Sequence, residues 1–579
     1  MNMAEKLPVA DLETTMNLAK RKGFFWPSFD IYGGLAGFFD YGPLGSMLKD
    51  NILSVWKRYY VIQENCLLLD TPNMTMEDVF IASGHVNKFT DILTRCEKCG
   101  TGFRADHLLE GVVENPAALS MDDMSTAIKN SGLKCQRCGG PLSKCEEFNL
   151  MFQSSIGPGG LKKGYLRPET AQGIFINFSL LYRLAREKLP FGVVQIGKGF
   201  RNEISPRQGI IRQREFNMAE CEFFQNPSDL SFPKIEKMSK ENITFVPNTD
   251  GQDHEMTIGD ALKTGMLKNE ALAYFIGITK QFLVEVGVDR RRLRFRQHLQ
   301  KEMAHYARDC WDAEVLTSLG WIEVVGIADR SAFDLTQHMK HSSADLRAFV
   351  KYDEPKIVKR MKIDVDRKVL GPILKGKAPA AVKALEEMDL TQAGKDIELT
   401  LDGEKVTIPA KAYTVKEVTE AVHGERFVPS VIEPSYGIDR ILYCVLEHSF
   451  YSYMKAVDEG KPEPYIILKI PQVVSPIKVG VFPLIAKDLE YLTDKINDTL
   501  IGLGWMTYYD TSGSIGRRYA RSDEIGVPYA ITADYDSKED GKVTIRERDT
   551  TDQARVKIDE LPKIIEGLLG KKLDFKSLK

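Results

Sequence analysis

Two runs apolar enough to be buried, FGVVQI (191–196) and EFNMAECEFF (215–224), flank the charged stretch FRNEISPR (200–207). Such a pair is expected to form an antiparallel hairpin inside a sheet, with Arg201, Glu203 and Arg207 in its connecting loop. Loops of this kind are ordinarily solvated tips; a ligand site is the alternative. Side chains alternate along a strand, so Arg214, Phe216, Met218, Glu220 and Glu222 share one face of the outgoing strand. Phe216 and Glu220 lie four residues apart, roughly 13 Å at ~3.4 Å per residue. That spacing suits a ligand with a flat ring at one end and a cationic group at the other. Arg201 and Glu203 also share parity, so the loop can offer a guanidinium to phosphate and a carboxylate to a base amine. A core sheet with a satisfied ion pair accounts for the same pattern.

A second constellation is VIEPSYGIDRILYCVLEHSF. Glu433 ends a strand, Ser435 is placed to cap the following helix, Gly437 permits close backbone approach, and Arg440 projects from the first helical turns, where it favours polyphosphate. No GxxxxGK[ST] occurs in the chain, so a nucleotide bound here is not held by a P-loop.

Cysteine spacing carries a separate message. CEKCG (Cys96, Cys99) and CQRCG (Cys135, Cys138) are two CxxC knuckles, each followed by a glycine that permits a tight turn. Together they supply four thiolates for a tetrahedral zinc, with reduced free thiols as the alternative. Four cysteine ligands leave no open position, which makes such a zinc structural. Nine cysteines, an odd number, do not resemble a secreted disulfide framework, and Cys145 reads as packing.

At 579 residues the chain has room for two to four domains. Its 43% hydrophobic and 27% charged content is that of an ordinary globular protein, and no run of about 18 apolar residues marks a membrane span. The polar, acidic start MNMAEKLPVADLETTM lacks the features of a signal peptide, so a cytoplasmic location with no membrane partner is expected. A net charge of −3 argues against bulk attraction to polyanions. Local basic clusters remain at Arg290, Arg291, Arg292, Arg294, Arg296 and Lys301, and at Arg517, Arg518 and Arg521; each is a nucleic-acid contact or a solvated face on pattern alone.

Along the chain, a helix is expected from Gly42, with Leu44, Leu48, Ile52, Val55 and Tyr59 at helical spacing. NCLLLDTPNM reads as a strand interrupted by Pro72, which belongs at an edge or interface. ETAQGIFINFSLLYRLAREK reads as one helix ending at Pro190, and GWIEVVGIAD and RFVPSVIEPS as strands. The segments 226–266 and 345–420 are polar and lysine-rich, as expected of surface insertions. From about 472, alternating strands and helices describe a separate α/β domain.

These residues resemble those of class II aminoacyl-tRNA synthetases, specifically the archaeal and eukaryotic homodimeric type of glycyl-tRNA synthetase. The helix from Gly42 and the strand with Pro72 resemble motif 1, FRNEISPR through REF motif 2, and EPSYGIDRI motif 3. GFFDYGP, SGHVNKF, FRADH, YLRPETAQG, MAECEFF, CWDAE and GWIEVVGIADRS resemble the glycyl subfamily, as does Ser435 where motif 3 usually has glycine. The resemblance spans nearly the whole chain. It implies an α+β fold: an antiparallel sheet flanked by helices, a zinc-binding insertion, further insertions and a C-terminal α/β anticodon-binding domain. The expected division is a catalytic core in three parts (1–90, 149–344 with an inner insertion near 226–266, and 421–471), insertions at 91–148 and 345–420, and the anticodon-binding domain at 472–579.

The implied activity is ligation of glycine to its tRNA through glycyl-adenylate, with ATP and Mg²⁺, structural Zn²⁺ and a homodimer. Arg201 and Arg440 would be catalytic. Arg201, Asn202, Glu203, Ile211, Arg212, Phe216, Glu323, Val324, Gly437 and Arg440 would bind ATP, with Glu323 acting by way of Mg²⁺. Arg104, Glu169, Phe216, Glu220, Glu433 and Ser435 would bind glycine, with Arg330 nearby. Cys96, Cys99, Cys135 and Cys138 would hold the zinc. No general base is expected, and His85, His305 and His423 are read as structural. The rivals are a prolyl, threonyl or histidyl class II enzyme, which RPETAQG and EPSYGIDR oppose, and a synthetase-like binding protein that lost its chemistry, which the intact Arg201, Glu203, Phe216 and Arg440 oppose.

Overall fold

The computed structural model describes residues 10–578 apart from 207, 300–301, 304–306, 387, 389–395, 402–403 and 456–461. Arg207, Lys301 and His305 therefore lie outside the described residues. The chain forms two units, Met1–Leu346 with Val428–Lys579, and Arg347–Phe427.

The first unit is built on a nine-stranded sheet in the order His254–Thr257, Asn242–Val246, Leu293–Gln297, Asp309–Thr317, Gly320–Ser331, Ser430–Gly437, Glu215–Gln225, Phe191–Phe200, Leu67–Leu69. Pairing is antiparallel except where Leu67–Leu69 meets Phe191–Phe200 and where Asn242–Val246 meets Leu293–Gln297. The expected hairpin is present, paired from Phe191 opposite Phe224 to Phe200 opposite Glu215. Leu67–Leu69 is an edge strand and Pro72 lies just beyond it, where its missing N–H interrupts no ladder.

One face of this sheet is apolar. Val194, Ala219, Cys221, Phe223, Val325, Ile327, Ile432 and Tyr436 are buried in the main core with the helices Pro43–Lys57 and Glu270–Val286. Glu270–Val286 is buried around most of its circumference, as an interior helix must be. The expected motif 1 helix begins at Pro43, and a π-helical turn over Arg58–Gln63 brings Tyr60 into the core. There the Tyr436 hydroxyl lies 2.7 Å from those of Tyr60 and Thr279. With one face consumed by packing, the polar residues of alternate parity are forced to the other.

Four expectations are corrected. The 226–266 segment is not a surface insertion: Asn242–Val246 and His254–Thr257 extend the main sheet, and Phe232, Met238, Ile243, Phe245, Ile258 and Ala261 enter the main core. Its apolar residues are too widely spaced among lysines to show a period, and only pairing with Leu293–Gln297 reveals the strand. ETAQGIFINFSLLYRLAREK is not one helix but two short ones, Ala171–Phe175 and Phe178–Leu184. The break at Asn177 is held by its side chain, which donates to the Gly173 carbonyl. RFVPSVIEPS is two strands: Tyr413–Phe427 ends before Pro429, and Ser430–Gly437 begins after it. The insertion expected at 345–420 consequently runs to Phe427 and is a unit of its own. Its ribbon, Ala348–Val365 against Tyr413–Phe427, leads to a small core including Ile363, Leu370, Leu385, Ile408 and Tyr413.

The C-terminal part carries a five-stranded sheet in the order Thr507–Tyr509, Val479–Pro483, Tyr529–Ala533, Lys542–Glu547, Gln553–Lys557. The helices Ala486–Gly502 and Leu561–Leu569 contribute Ile496, Leu500, Ile564 and Ile565 to its core. Among the described residues, no helix is long and apolar enough to cross a membrane.

Candidate active site

Strand register converts sequence parity into a surface. Gln195, Glu220, Ser435, Gly326 and Asp312 are successive partners across five strands. One pleat along, Gly197 faces Met218, which faces Gly437, and beyond them Gly199 faces Phe216. Two of these glycines leave room for larger groups on this face. A Cβ on Gly199 would come within 2.6 Å of the Phe216 ring, and one on Gly197 within 2.1 Å of the Arg167 guanidinium.

At one end of the face lies a cleft lined by Arg201, Glu203, Ile211, Arg212, Phe216, Glu323, Val324, Ser435, Gly437 and Arg440. The structure thus brings together nearly all the residues expected for the nucleotide. Arg201 stands over the Phe216 ring, 5.2 Å from its centroid, a cation–π distance. Glu203 is buried and accepts from Arg212 at 2.8 and 2.7 Å. Arg440 donates to the Ile211 carbonyl at 3.1 Å and to the Glu323 carbonyl at 2.8 Å, and its guanidinium lies 3.3 Å from the half-exposed Glu323 carboxylate. The backbone N–H of Asn202 donates to Leu150 at 2.7 Å, which anchors the start of the loop. Asp439, wholly enclosed, organises the far wall: it accepts from Asn217 N–H at 2.7 Å, from Gln213 at 2.8 Å and from the Tyr41 hydroxyl. Ser435 is not the expected helix cap. Gly437 holds the N-cap position of Ile438–Ser449 without a side-chain bond, and Ser435 Oγ instead donates to Glu220 Oε1 at 2.7 Å.

Acids fill the other end. Glu220 also accepts the Thr170 N–H at 2.7 Å and the Thr170 hydroxyl. Burial and then the neighbouring Glu169 push its carboxyl above the ordinary range, against the pull of the Thr170 and Ser435 hydrogen bonds. Arg330, 1% exposed, is the buried cation of the cluster. It donates to both oxygens of Glu433 at 2.9 Å and to both of Asp334 at 2.9 Å, and lies 3.5 Å from Glu169. One guanidinium cannot neutralise three carboxylates. Burial therefore raises Glu433 to about 8 despite Arg330, with Glu220 and Glu169 adding repulsion. Glu169 moves the other way: burial would raise it, but His85, 3.5 Å away, and Arg330 together hold it well below the ordinary range.

His85, expected to be structural, thus faces the acid cluster. Thr170, Gln172 and Asp334 belong there too and were not anticipated; Thr170 and Gln172 lie within the RPETAQG motif, which was the available signal. Arg104 is placed elsewhere than beside Glu220 and Glu433. It pairs with Asp91 at 3.1 Å and with Asp106, and lines an outer mouth with Arg201, Glu203 and Arg212.

In the insertion, the four knuckle sulfurs lie within 4.8 Å of one another, with Cys96–Cys138 at 3.4 Å and Cys99–Cys135 at 3.7 Å. Four thiolates about 2.3 Å from a tetrahedral zinc would stand ~3.8 Å apart, so the group fits that ion. Gly100 and Gly139 take φ of +70°, the left-handed turn that closes each knuckle. Cys145 is buried with Ala105, Leu109, Met124 and Ile128, outside the group.

Comparison with known proteins accords with this geometry. Residues 161–247 match the model of the tRNA synthetase class II core domain (G, H, P, S and T), and residues 473–568 match the anticodon binding domain. The chain is 49% identical to the glycine–tRNA ligase of Methanothrix thermoacetophila over 97% of its own length and 98% of the relative's. The family is shown by that match. The chain belongs to the glycine–tRNA ligase family. Glycine–tRNA ligases of Archaeoglobus fulgidus and Methanocaldococcus jannaschii are 49% and 45% identical, each over 97% of the relative's length and over 97% and 95% of this chain.

Solved structures share the fold of this ligase. Giardia lamblia prolyl-tRNA synthetase in complex with prolyl-adenylate matches with a TM-score of 0.51 and 12% identity, covering 97% of this chain and 81% of that one. A structure titled as the RNA binding domain of Cryptosporidium parvum threonyl-tRNA synthetase matches at 0.51 and 15%, covering 96% and 98%. In the ligase's anticodon-binding domain, two of the three expected contact arginines are occupied internally. Arg518 is buried and donates to the carbonyls of Pro483, Thr511, Ser512 and Gly513, and Arg521 pairs with Asp510. In the other basic cluster Arg294 and Arg296 pair with Glu314, and Arg291 with Asp289.

Proposed function

We propose that the cleft and the acid cluster bind ATP and glycine end to end on one sheet face, so that the glycine carboxylate meets the α-phosphate between them. The ligase joins glycine to tRNA in two steps: carboxylate attack on ATP gives glycyl-adenylate and pyrophosphate, and the adenylate then acylates the terminal adenosine of the tRNA. The observation that carries the residue assignment is the register placing Phe216, Ser435 and Glu220 on one face, with Arg201 over the ring.

Phe216 stacks under adenine, and Arg440 covers its other face and the γ-phosphate. Glu203 accepts the adenine amine, with Asn202, Ile211, Val324 and Gly437 shaping the site through backbone. Arg212, paired with Glu203, turns to the outer phosphates when the base amine takes over its carboxylate. Arg201 holds the α-phosphate. A magnesium ion bound with ATP would neutralise phosphate charge; the half-exposed Glu323 is the carboxylate to hold it, fitting an ion that takes most of its ligands from phosphates and water. The ammonium of glycine faces Glu220 and Glu433, with Glu169 and Ser435 completing the pocket. Arg104, at the outer mouth, is the weaker candidate for substrate contact because both of its carboxylate partners lie outside the cluster. Little proton transfer is needed from the protein, so positioning and charge stabilisation carry the rate.

Pyrophosphate exchange tests the substrate: it is expected with glycine and absent with alanine or serine, and equal exchange with alanine would overturn the pocket assignment. Phe216→Leu is expected to raise the KM for ATP by about 5- to 150-fold, the equivalent of about 1–3 kcal/mol of stacking, while the KM for glycine stays within roughly threefold. Metal analysis of purified protein is expected to find about one zinc per chain, and Cys99→Ser to lose it. A homodimer is the assembly proposed, with sedimentation as its check; tRNA docks through 473–568, where unpaired anticodon bases are open to stacking and edge hydrogen bonds.

A further inference from the structure

Glu222 follows Glu220 on the same strand face, is 0% exposed, and neither of its carboxyl oxygens has a hydrogen-bond partner. Oxygens of Glu220, Glu222 and Glu433 approach within 4.8 Å of one another. The surrounding acids are all bonded: Glu220 to Thr170 and Ser435, Glu433 and Asp334 to Arg330, Glu169 to Gln172. Arg330 donates to Glu433 and Asp334, and no hydrogen bond reaches either oxygen of Glu222. A buried carboxylate with no donor is among the costliest groups a fold can carry, and three acids this close cannot all ionise. A neutral carboxylic acid at Glu222 removes both penalties.

We propose that Glu222 is a positioning residue for the amino acid: it holds a proton before glycine binds, and releases that proton to solvent when the glycine ammonium arrives beside Glu220 and Glu433. This rests on the assignment of Glu220, Glu433 and Ser435 to glycine. The O–H bond of Glu222 breaks with its electron pair left on oxygen, the proton goes to buffer, and the ammonium enters intact. One positive charge replaces another, so the charge of the pocket is conserved. A ligand without an ammonium has nothing to put in the proton's place, which makes the exchange a selection device.

The charged groups that act on Glu222 are Glu433 on the next strand, Arg330 at the end of Gly320–Ser331, Glu220 on its own strand and Asp334 on the helix that follows; His338 on that helix is bonded to Gln172, and Glu169 with His85 lies beyond Arg330. Burial first, then Glu433, Glu220 and Asp334 drive the Glu222 carboxyl far up, and Arg330 opposes them only in part. Its proton affinity is higher in the free site than in the complex. Glycine affinity therefore rises with pH, by about tenfold per unit for one proton released, and levels off above the free-site value.

Calorimetric titration of the full-length protein with glycine, at pH 7 in two buffers of different ionisation enthalpy, reads the proton directly. Wild type is expected to release about one proton per glycine and Glu222→Gln less than roughly a third of that, with the pH dependence of the glycine KM flattened in the variant. Glycine binding to wild type without buffer-dependent heat, or equal release from both proteins, overturns the proposal. Should Glu222→Gln not fold, infrared difference spectra of wild type decide: the carbonyl band of a buried un-ionised acid is expected to vanish on glycine addition, and its persistence overturns the proposal. Failure of the pocket assignment itself looks different, because Glu220→Ala would then leave glycine exchange unchanged.

Discussion

Glu220→Ala abolishes glycine-dependent pyrophosphate exchange, with a loss of two to three orders of magnitude or more, while ATP still binds. The expectation follows from what the carboxylate holds. It is buried, positioned by the Thr170 N–H and by Ser435 Oγ at 2.7 Å each, and stands four residues from Phe216 on one face. Truncating one member of a buried charge pair costs about 2–5 kcal/mol or more, largely because the other charge is left alone. In the proposed pocket the abandoned charge is the substrate ammonium, so the loss is expected in kcat/KM for glycine. Glu220→Gln separates charge from shape: it keeps the length and an acceptor for Thr170, yet offers no negative charge, and a comparable loss is expected. Normal exchange in either variant would contradict the pocket. ATP binding, followed by fluorescence or equilibrium dialysis, should change by less than about threefold, because Phe216, Arg201 and Arg440 are untouched.

Arg330→Met has its largest effect on stability. Arg330 is 1% exposed and bonds Glu433 and Asp334 directly, so its removal leaves buried carboxylates without their cation. Breaking such a group by deleting one partner costs about 3–5 kcal/mol. The sign with pH is set by the acids left behind. Their folded-state values, already raised for Glu433, would lie above the unfolded value of about 4.3. Such groups contribute stability that is fully present below the unfolded value and lost as pH rises through the folded one. The deficit in melting temperature against wild type should therefore be widest near pH 8 and narrow toward pH 5.5. A deficit independent of pH would mean that packing, not charge, is what Arg330 provides.

The parts of the site that could be read from the chain are those that are local. Alternation along EFNMAECEFF put Phe216 and Glu220 on one face, and register across the Phe191–Phe200 and Ser430–Gly437 strands bears that out. The CxxC knuckles were legible because two turns closed by glycine present sulfurs whatever lies between them. The 226–266 strands were not legible, since their pairing partner lies near 293–297 and nothing in the segment itself shows a period. Ser435 looked like a cap from its distance to the helix; a buried carboxylate on a neighbouring strand outcompeted that role. Arg518 shows the same limit. A run of arginines reads as a nucleic-acid face, and only packing shows one of them spent on four backbone carbonyls.

By itself, then, the amino-acid order determined which face of each strand would be polar, where the cysteine knuckles lie and which short segments line the cleft, because these depend on periods of two and on turns of a few residues. Tertiary structure decided the electrostatic state of the site. Arg330 shared among Glu433, Asp334 and Glu169, His85 set against Glu169, and Glu222 left without a donor all arise where distant segments meet. Charge states in a water-poor interior depend on every neighbour within a few ångströms, and those neighbours are brought together only by folding.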